Sequence, residues 1–189
     1  MAGTLIERAI GAVRLDAATY EEVEADPNAL SQAMVVVLVA SIAAGIGASA
    51  SGAGGPVGMI RGSIAALVGW FVWAATVYFV GTRLLPGPNT EADLGQVLRT
   101  TGFSAAPGVV GILGIVPALG GPVSMVAGLW QLAAMVVAVR QALDYETTGR
   151  AVLVCFIGFL LYVAVFALIL GAVFGAANAV VGTPSTITP

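Results

Sequence analysis

At 189 residues the chain has the length of one domain, but 59% of it is hydrophobic, 9% is charged and its mean hydropathy is +1.00. A soluble core of that size needs a polar shell that so few charges cannot build, so the composition excludes an ordinary water-soluble domain and makes lipid the solvent for most of the chain. The net charge is −3 and all seven basic residues are Arg, which argues against a nucleic-acid partner.

The absence of Lys, together with abundant Ala, Gly and Val, points to a GC-rich, bacterial coding sequence. No histidine is present, which removes the commonest metal ligand and general base. The single cysteine, Cys155, sits in an apolar run and reads as a small buried hydrophobe.

Residues 1–30 are expected to form a cytoplasmic helical arm. Leu5, Ile6, Ala9, Ile10 and Val13 recur at helical spacing behind a Thr4/Glu7 capping box, an amphipathic pattern suited to the headgroup region or to packing against the cytoplasmic end of the bundle. Six of the ten acids lie in this arm: Glu7, Asp16, Glu21, Glu22, Glu24 and Asp26. A weaker helical pattern over residues 16–25 ends at Asp26-Pro27, where Asp26 is expected to cap the next helix and Pro27 to occupy its first position. The opening lacks a charged-then-apolar signal, so the first span is expected to be retained.

The fold class expected is an all-α, five-helix integral membrane bundle over residues 31–178, followed by a polar tail over 179–189. Its spans fall at about 33–50, 60–85, 100–120, 122–142 and 151–177. The first carries small residues at Ala40, Ala44 and Ala48, a face that permits close backbone approach in lipid. In the second, Trp70 and Trp73 lie toward mid-depth and read as packing or lipid-facing bulk. Residues 86–89 break the chain, and Thr90 with Asp93 fits a capping signature before the third span.

That third span is the least regular. Pro107 lies well inside it, and Gly108, Gly111 and Gly114 recur every third residue, which predicts a kinked helix with a freed carbonyl near Phe103. In the fourth span Gln131 is the only amide near mid-depth and is expected to hydrogen-bond another helix, with lining a substrate path as the alternative. The fifth carries a ridge of Ala167, Gly171, Gly175 and Ala179, a helix-contact face within the subunit or between copies.

No predicted span carries a carboxylate, Lys or His in its interior, which argues against ion-coupled transport. No nucleophile–base pair, carboxylate pair or metal set is assembled, so neither catalysis nor a metal or cofactor is expected. The expected function is non-enzymatic, through helix association and binding of a membrane or cytoplasmic protein, with a homo-oligomer as one form. The alternative is a small permease or facilitator for a lipid or neutral solute, with the Pro107 segment lining its route.

Several stretches resemble a known family: Val97-Leu98-Arg99-Thr100-Thr101-Gly102-Phe103 with Pro107 after it, Trp130-Gln131-Leu132, Ala138-Val139-Arg140-Gln141-Ala142-Leu143-Asp144-Tyr145, and Thr147-Thr148-Gly149-Arg150-Ala151. With the acidic run from Arg14 to Ala29 they look like the bacterial branch of the Yip (Ypt-interacting protein) domain family, over roughly residues 14–170. The resemblance implies a five-span bundle with a cytoplasmic N-terminus, and in eukaryotic members association with prenylated Rab-type GTPases in vesicle traffic or membrane shaping. This chain lacks the Asp-Leu-Tyr-Gly-Pro segment of those members, so that partner is not carried over. For bacterial relatives the family implies no settled activity.

Arginine placement leads separately to the same orientation. Arg8 and Arg14, Arg83 and Arg99, and Arg140 and Arg150 fall on one side and only Arg61 on the other, so the positive-inside rule puts the N-terminus in the cytoplasm and the C-terminus outside a cell (inner) membrane. Reporters fused after Gly55, Gly87, Gly121, Thr147 and Pro189 are expected to read out, in, out, in, out. A cytoplasmic reading at Pro189 would contradict five spans.

Overall fold

The computed structural model describes residues 3–49, 55–116 and 118–181, with side chains in the last stretch described to Leu168 except Phe166. Helix α1 (Leu5–Val13) opens on the capping box: Glu7 N–H donates to Thr4 Oγ1 at 3.3 Å, and Thr4 N–H donates to the Glu7 carboxylate at 2.8 Å. Helix α2 (Ala17–Ala25) is capped by Asp16, which accepts from Ala18 N–H at 3.2 Å.

Asp26 and Pro27 do not start the next helix as expected. A residue before proline is pushed toward extended backbone, and Asp26 sits at φ −99°, ψ 105°. It closes α2 and then holds a turn, accepting from Asn28 N–H on its side chain and from Ala29 N–H on its carbonyl, both at 2.9 Å. Helix α3 (Ala29–Ser49) follows that turn.

Pro56 occupies the first turn of α4 (Pro56–Phe79), which runs on through one π-helical turn, Val80–Leu84, closed by Leu85 N–H on the Val80 carbonyl at 2.8 Å. Asp93 caps α5 (Leu94–Phe103) in a box with Gln96 rather than with Thr90. Thr90 instead accepts from Gly87 N–H and donates to the Leu143 carbonyl, pinning its loop to the end of α6 (Gly120–Ala142). Helix α7 (Thr148–Val181) is the longest. The architecture is all-α, and four stretches are long and apolar enough to cross a membrane: Ala29–Ser49, Pro56–Leu84, Gly120–Ala142 and Thr148–Val165 within α7.

The expected third span is not one kinked α-helix. Helix α5 ends at Phe103, and residues Ala106–Ile115 form a 3₁₀ helix. Pro107 removes an amide and crowds the preceding turn, and the glycines around it give the α form little support. The decisive feature is their period. In a 3₁₀ helix residues three apart eclipse, so Gly108, Gly111 and Gly114 form one face, whereas in an α-helix each step of three would rotate them by about 60°.

That glycine face lies on α3. A Cβ built on Gly111 would come 3.2 Å from Ala44 Cα, one on Gly108 3.3 Å from Ala40 Cβ, and one on Gly114 3.4 Å from Gly47 Cα. Further back, Gly102 faces Ala33. Residue numbers rise together on both partners, so the α5–3₁₀ segment runs parallel to α3 and keeps pace with it from Ala33 to Gly47, about 21 Å of helix rise.

Two apolar clusters close the end of the bundle that carries the arm. One joins α4, α5, α6 and α7 around Val97, Leu143 and Val154, and the other packs Tyr20 and Val23 of the arm on Ala33 and Phe103.

Gly47 is the tightest point: a Cβ there would lie 2.0 Å from the Gly111 carbonyl oxygen, a backbone atom that cannot swing aside. Gly47→Ala is therefore expected to destabilise the bundle by at least about 2 kcal/mol in detergent unfolding. Gly62→Ala, whose Cβ meets nothing within 4 Å, is expected to be neutral or stabilising. Equal stability of the two variants would contradict the glycine contact.

Candidate functional site

Two places gather the polar chemistry: a cap formed by the arm, and a cavity inside the bundle. The cap is built on two buried arginines. Arg8, 1% exposed, donates to Glu22 at 2.9 Å, to Asp26 at 2.8 Å and to the Gln32 side chain at 3.0 Å, tying α1, α2 and α3 together. Burial makes this pairing necessary, since an unpaired guanidinium there would be costly.

Arg99, on α5, reaches the arm through main-chain acceptors. Its Nε donates to the carbonyls of Val23 and Glu24 at 3.1 Å, and its Nη2 also donates to Glu24. These are two of the carbonyls that the C-terminus of α2 leaves without helical partners, and a cation is also favoured there by the helix dipole. Around them Gln96 donates to Glu24 at 3.0 Å, Gln141 to Glu21 at 2.7 Å, and the Trp130 indole to the Val13 carbonyl at 2.8 Å. The arm is thus docked along its length. Ile6 and Ile10 remain 69% and 47% exposed on the outer face of α1.

The remaining loop arginines shape turns. Arg140 donates to the carbonyls of Tyr145 and Glu146 at 3.2 Å, and Arg150 lies over the Tyr145 ring at 5.7 Å. The Tyr145 hydroxyl in turn donates to the Leu85 carbonyl at 2.8 Å, joining the α6–α7 turn to the end of α4. Arg83 is exposed on the π-helical turn.

Charge in the cap divides by environment. The Gly3 N–H and then Arg8 hold the Glu22 carboxyl below its usual range, and Arg8 followed by the Asn28 N–H does the same for Asp26. Glu24 goes the other way: burial, then the neighbouring Asp144, pushes it up to about 7 against the lowering pull of Arg99.

The cavity measures about 1100 Å³ and lies between α3, α4, the 3₁₀ helix, α6 and α7. Trp70, Trp73, Thr101, Ser104 and Met135 form its end toward the arm, while Gly47, Gly114, Gly120 and Gly121 stand at the far end. Trp70 N–H donates to the Leu98 carbonyl at 3.2 Å and Trp73 N–H to Met135 Sδ at 3.0 Å, so both indoles are held in place. Trp73 also meets Tyr162 edge to face at 5.8 Å.

The structure brings together several residues singled out in the sequence. Ala40, Ala44, Ala48, Gly108, Gly111 and Gly114 share the cavity wall, and Gln131 lines it from α6. Pro107 is buried in the first turn of the 3₁₀ helix. The Gln131 amide donates to the Ala105 carbonyl at 3.2 Å, which also receives Gly108 N–H at 2.9 Å; the carbonyl it serves lies two residues beyond the expected Phe103. Ala167 is exposed, whereas Gly171, Gly175 and Ala179 lie outside the residues whose surroundings are described. The docking by Arg99 and Trp130 carries no sequence signal, because their acceptors are main-chain carbonyls that look alike in every residue.

With four helical stretches long and apolar enough to cross a membrane and an arm docked at one end, the fold is that of a multi-pass membrane protein. The Yip1 domain profile matches residues 11–181, so the chain belongs to the Yip1 domain family. No curated protein and no solved structure gives a significant match.

Glu24 makes the cap sensitive to pH. Its folded-state pKa is raised from 4.5 to about 7, so its favourable contribution is full below about pH 4.5 and is lost as pH rises through about 7. Hydrogen-exchange protection of α2, corrected for intrinsic rates, is expected to fall between about pH 5.5 and pH 8 and to become flat in Glu24→Gln, which keeps the Gln96 contact. An unchanged slope in that variant would exclude Glu24 as the cause.

Proposed function

We propose that this Yip1-domain protein is a non-enzymatic membrane organiser that works by association, using its docked arm to present an acidic cytoplasmic surface to a partner protein. The observation that carries this reading is the rigid attachment of the arm: Arg8 ties α1 to α2 by three hydrogen bonds and to Gln32 of α3 by a fourth, and Arg99 of α5 adds three to the end of α2, so the surface is preformed. Preorganisation lowers the ordering cost of binding. Glu21, Glu22 and Asp144 are exposed on this end of the molecule, a surface suited to a basic partner segment.

The same reading takes the α5–3₁₀ segment as a fifth crossing. It runs parallel to α3, and its 3₁₀ part alone rises about 20 Å. Five crossings with the arm in the cytoplasm agree with the arginine asymmetry of the loops. The exposed Ile6 and Ile10 fit an arm that rests on the headgroup region of a cell membrane.

The cavity favours a second reading, a facilitator for a lipid or neutral solute. Its end toward the arm is closed by Trp70, Trp73 and Met135, so transfer would require those side chains to move, and flux in protein-loaded liposomes distinguishes this reading.

For association, native mass spectrometry and crosslinking from lipid are expected to show a discrete oligomer or a complex with a cytoplasmic protein. Arg99→Ala, which removes three hydrogen bonds to the end of α2, is expected to weaken the cytoplasmic complex and to destabilise the fold by about 2 kcal/mol. A strict monomer without partner would contradict the proposal.

A further inference from the structure

We propose that the cavity is a binding site for an uncharged, single-chain lipid ending in a hydroxyl, a long-chain alcohol, whose hydroxyl donates to Gln131 Oε1. Size comes first. At about 1100 Å³ the cavity exceeds the usual range of small-molecule sites, roughly 300–1,000 Å³, and its walls belong to membrane-crossing helices. A space of that kind, lined by apolar atoms and fed by a bilayer, is filled by hydrocarbon, because packed contact is lost at every wall left bare.

Charge narrows the occupant. Among the described lining residues there is no Asp, Glu, Lys, Arg or His. A phosphate or ammonium headgroup drawn inside would find no counter-charge at membrane depth, where such a group is expensive. The occupant is therefore neutral.

Hydrogen bonding narrows it further. The polar side chains around the cavity mostly spend their hydrogens on the protein: Ser41 on the Leu38 carbonyl, Ser104 on the Thr101 carbonyl, Ser124 on the Gly120 carbonyl, and the two indoles as described. Gln131 differs. Its Nε2 is fixed toward the Ala105 carbonyl and stands against Gly108, which sets the orientation of the amide. Its Oε1 accepts no hydrogen bond from a described residue, and an amide oxygen in an apolar site gains from any donor that reaches it. A hydroxyl supplies that donor without charge.

The geometry also fits a single chain. Gln131 lies about 15 Å along α6 from Gly121, and the wall between them presents Ala127, Gly128 and the 3₁₀ glycines, a smooth channel for methylene groups. Gly128 and Gly121 have open space where a Cβ would go, so larger residues there would fill the cavity without displacing backbone. The proposal requires neither the protein partner nor transfer across the membrane; binding without flux satisfies it.

The test uses the native indoles at the floor. Full-length protein in phosphatidylcholine vesicles is titrated with dibrominated octadecanol, and the same bromine density is supplied separately on phosphatidylcholine chains. Tryptophan quenching by the alcohol is expected to saturate, with Gly128→Leu abolishing the saturable part at an unchanged unfolding midpoint. Gln131→Leu is expected to raise the half-saturating concentration roughly tenfold, the loss of one hydrogen bond. Gly121→Leu serves as the blocking variant if Gly128→Leu does not fold. Quenching that never saturates and is equal in wild type and blocked protein would overturn the site. Saturable quenching by brominated phosphatidylcholine that Gln131→Leu leaves unchanged would overturn the hydroxyl assignment.

Discussion

The contact on which the rest of the structure depends is the backbone approach between α3 and the 3₁₀ helix at Gly47, Ala44, Gly111 and Gly114. In lipid there is no hydrophobic force to press helices together, so close packing of small residues must supply the attraction. An α-helix cannot keep every third residue on one face, and a 3₁₀ helix can. The strained form is thus the one that turns three glycines toward α3 at once. From that choice follow the position of Ala105, whose carbonyl Gln131 completes, and the narrow wall on one side of the cavity.

The scarce charges do a different task. Arg8 and Arg99 are nearly buried, and each is spent on holding the arm rather than displayed to solvent. Arg140 and Arg150 fold the α6–α7 turn around Tyr145. In the sequence these arginines are the basis for expecting a cytoplasmic N-terminus. The structure adds that Arg8, Arg99, Arg140 and Arg150 also fix local geometry.

Much of the fold is legible in the sequence because apolar length and capping residues are local signals. The Thr4 box, the helix of the arm and the long apolar runs of α3, α4, α6 and α7 all follow from residues within a turn or two of one another. The period-three glycines are visible as well, but a proline inside an apolar run also fits a kinked α-helix, and only the packing on α3 selects the change of helix type. Asp26 is ambiguous for a related reason: the same residue that can cap a helix can hold a turn, and the proline after it selects the turn. Packing of the arm on the end of the bundle is one of the two expectations its amphipathic pattern allows, but the bonds that dock it are not legible, since Arg99 and Trp130 bond to main-chain carbonyls more than 70 residues away, about which the sequence carries no pattern. The cavity likewise arises only once five segments are assembled.

The glycine contact can be observed directly by magic-angle-spinning NMR on isotopically labelled protein in lipid bilayers. Through-space cross-peaks between Gly47 and Gly111 and between Ala44 and Gly111 are expected, with residues 106–115 showing 3₁₀ rather than α-helical shifts. Continuous α-helical shifts through Gly114, with no cross-peak from Gly111 to α3, would contradict the account.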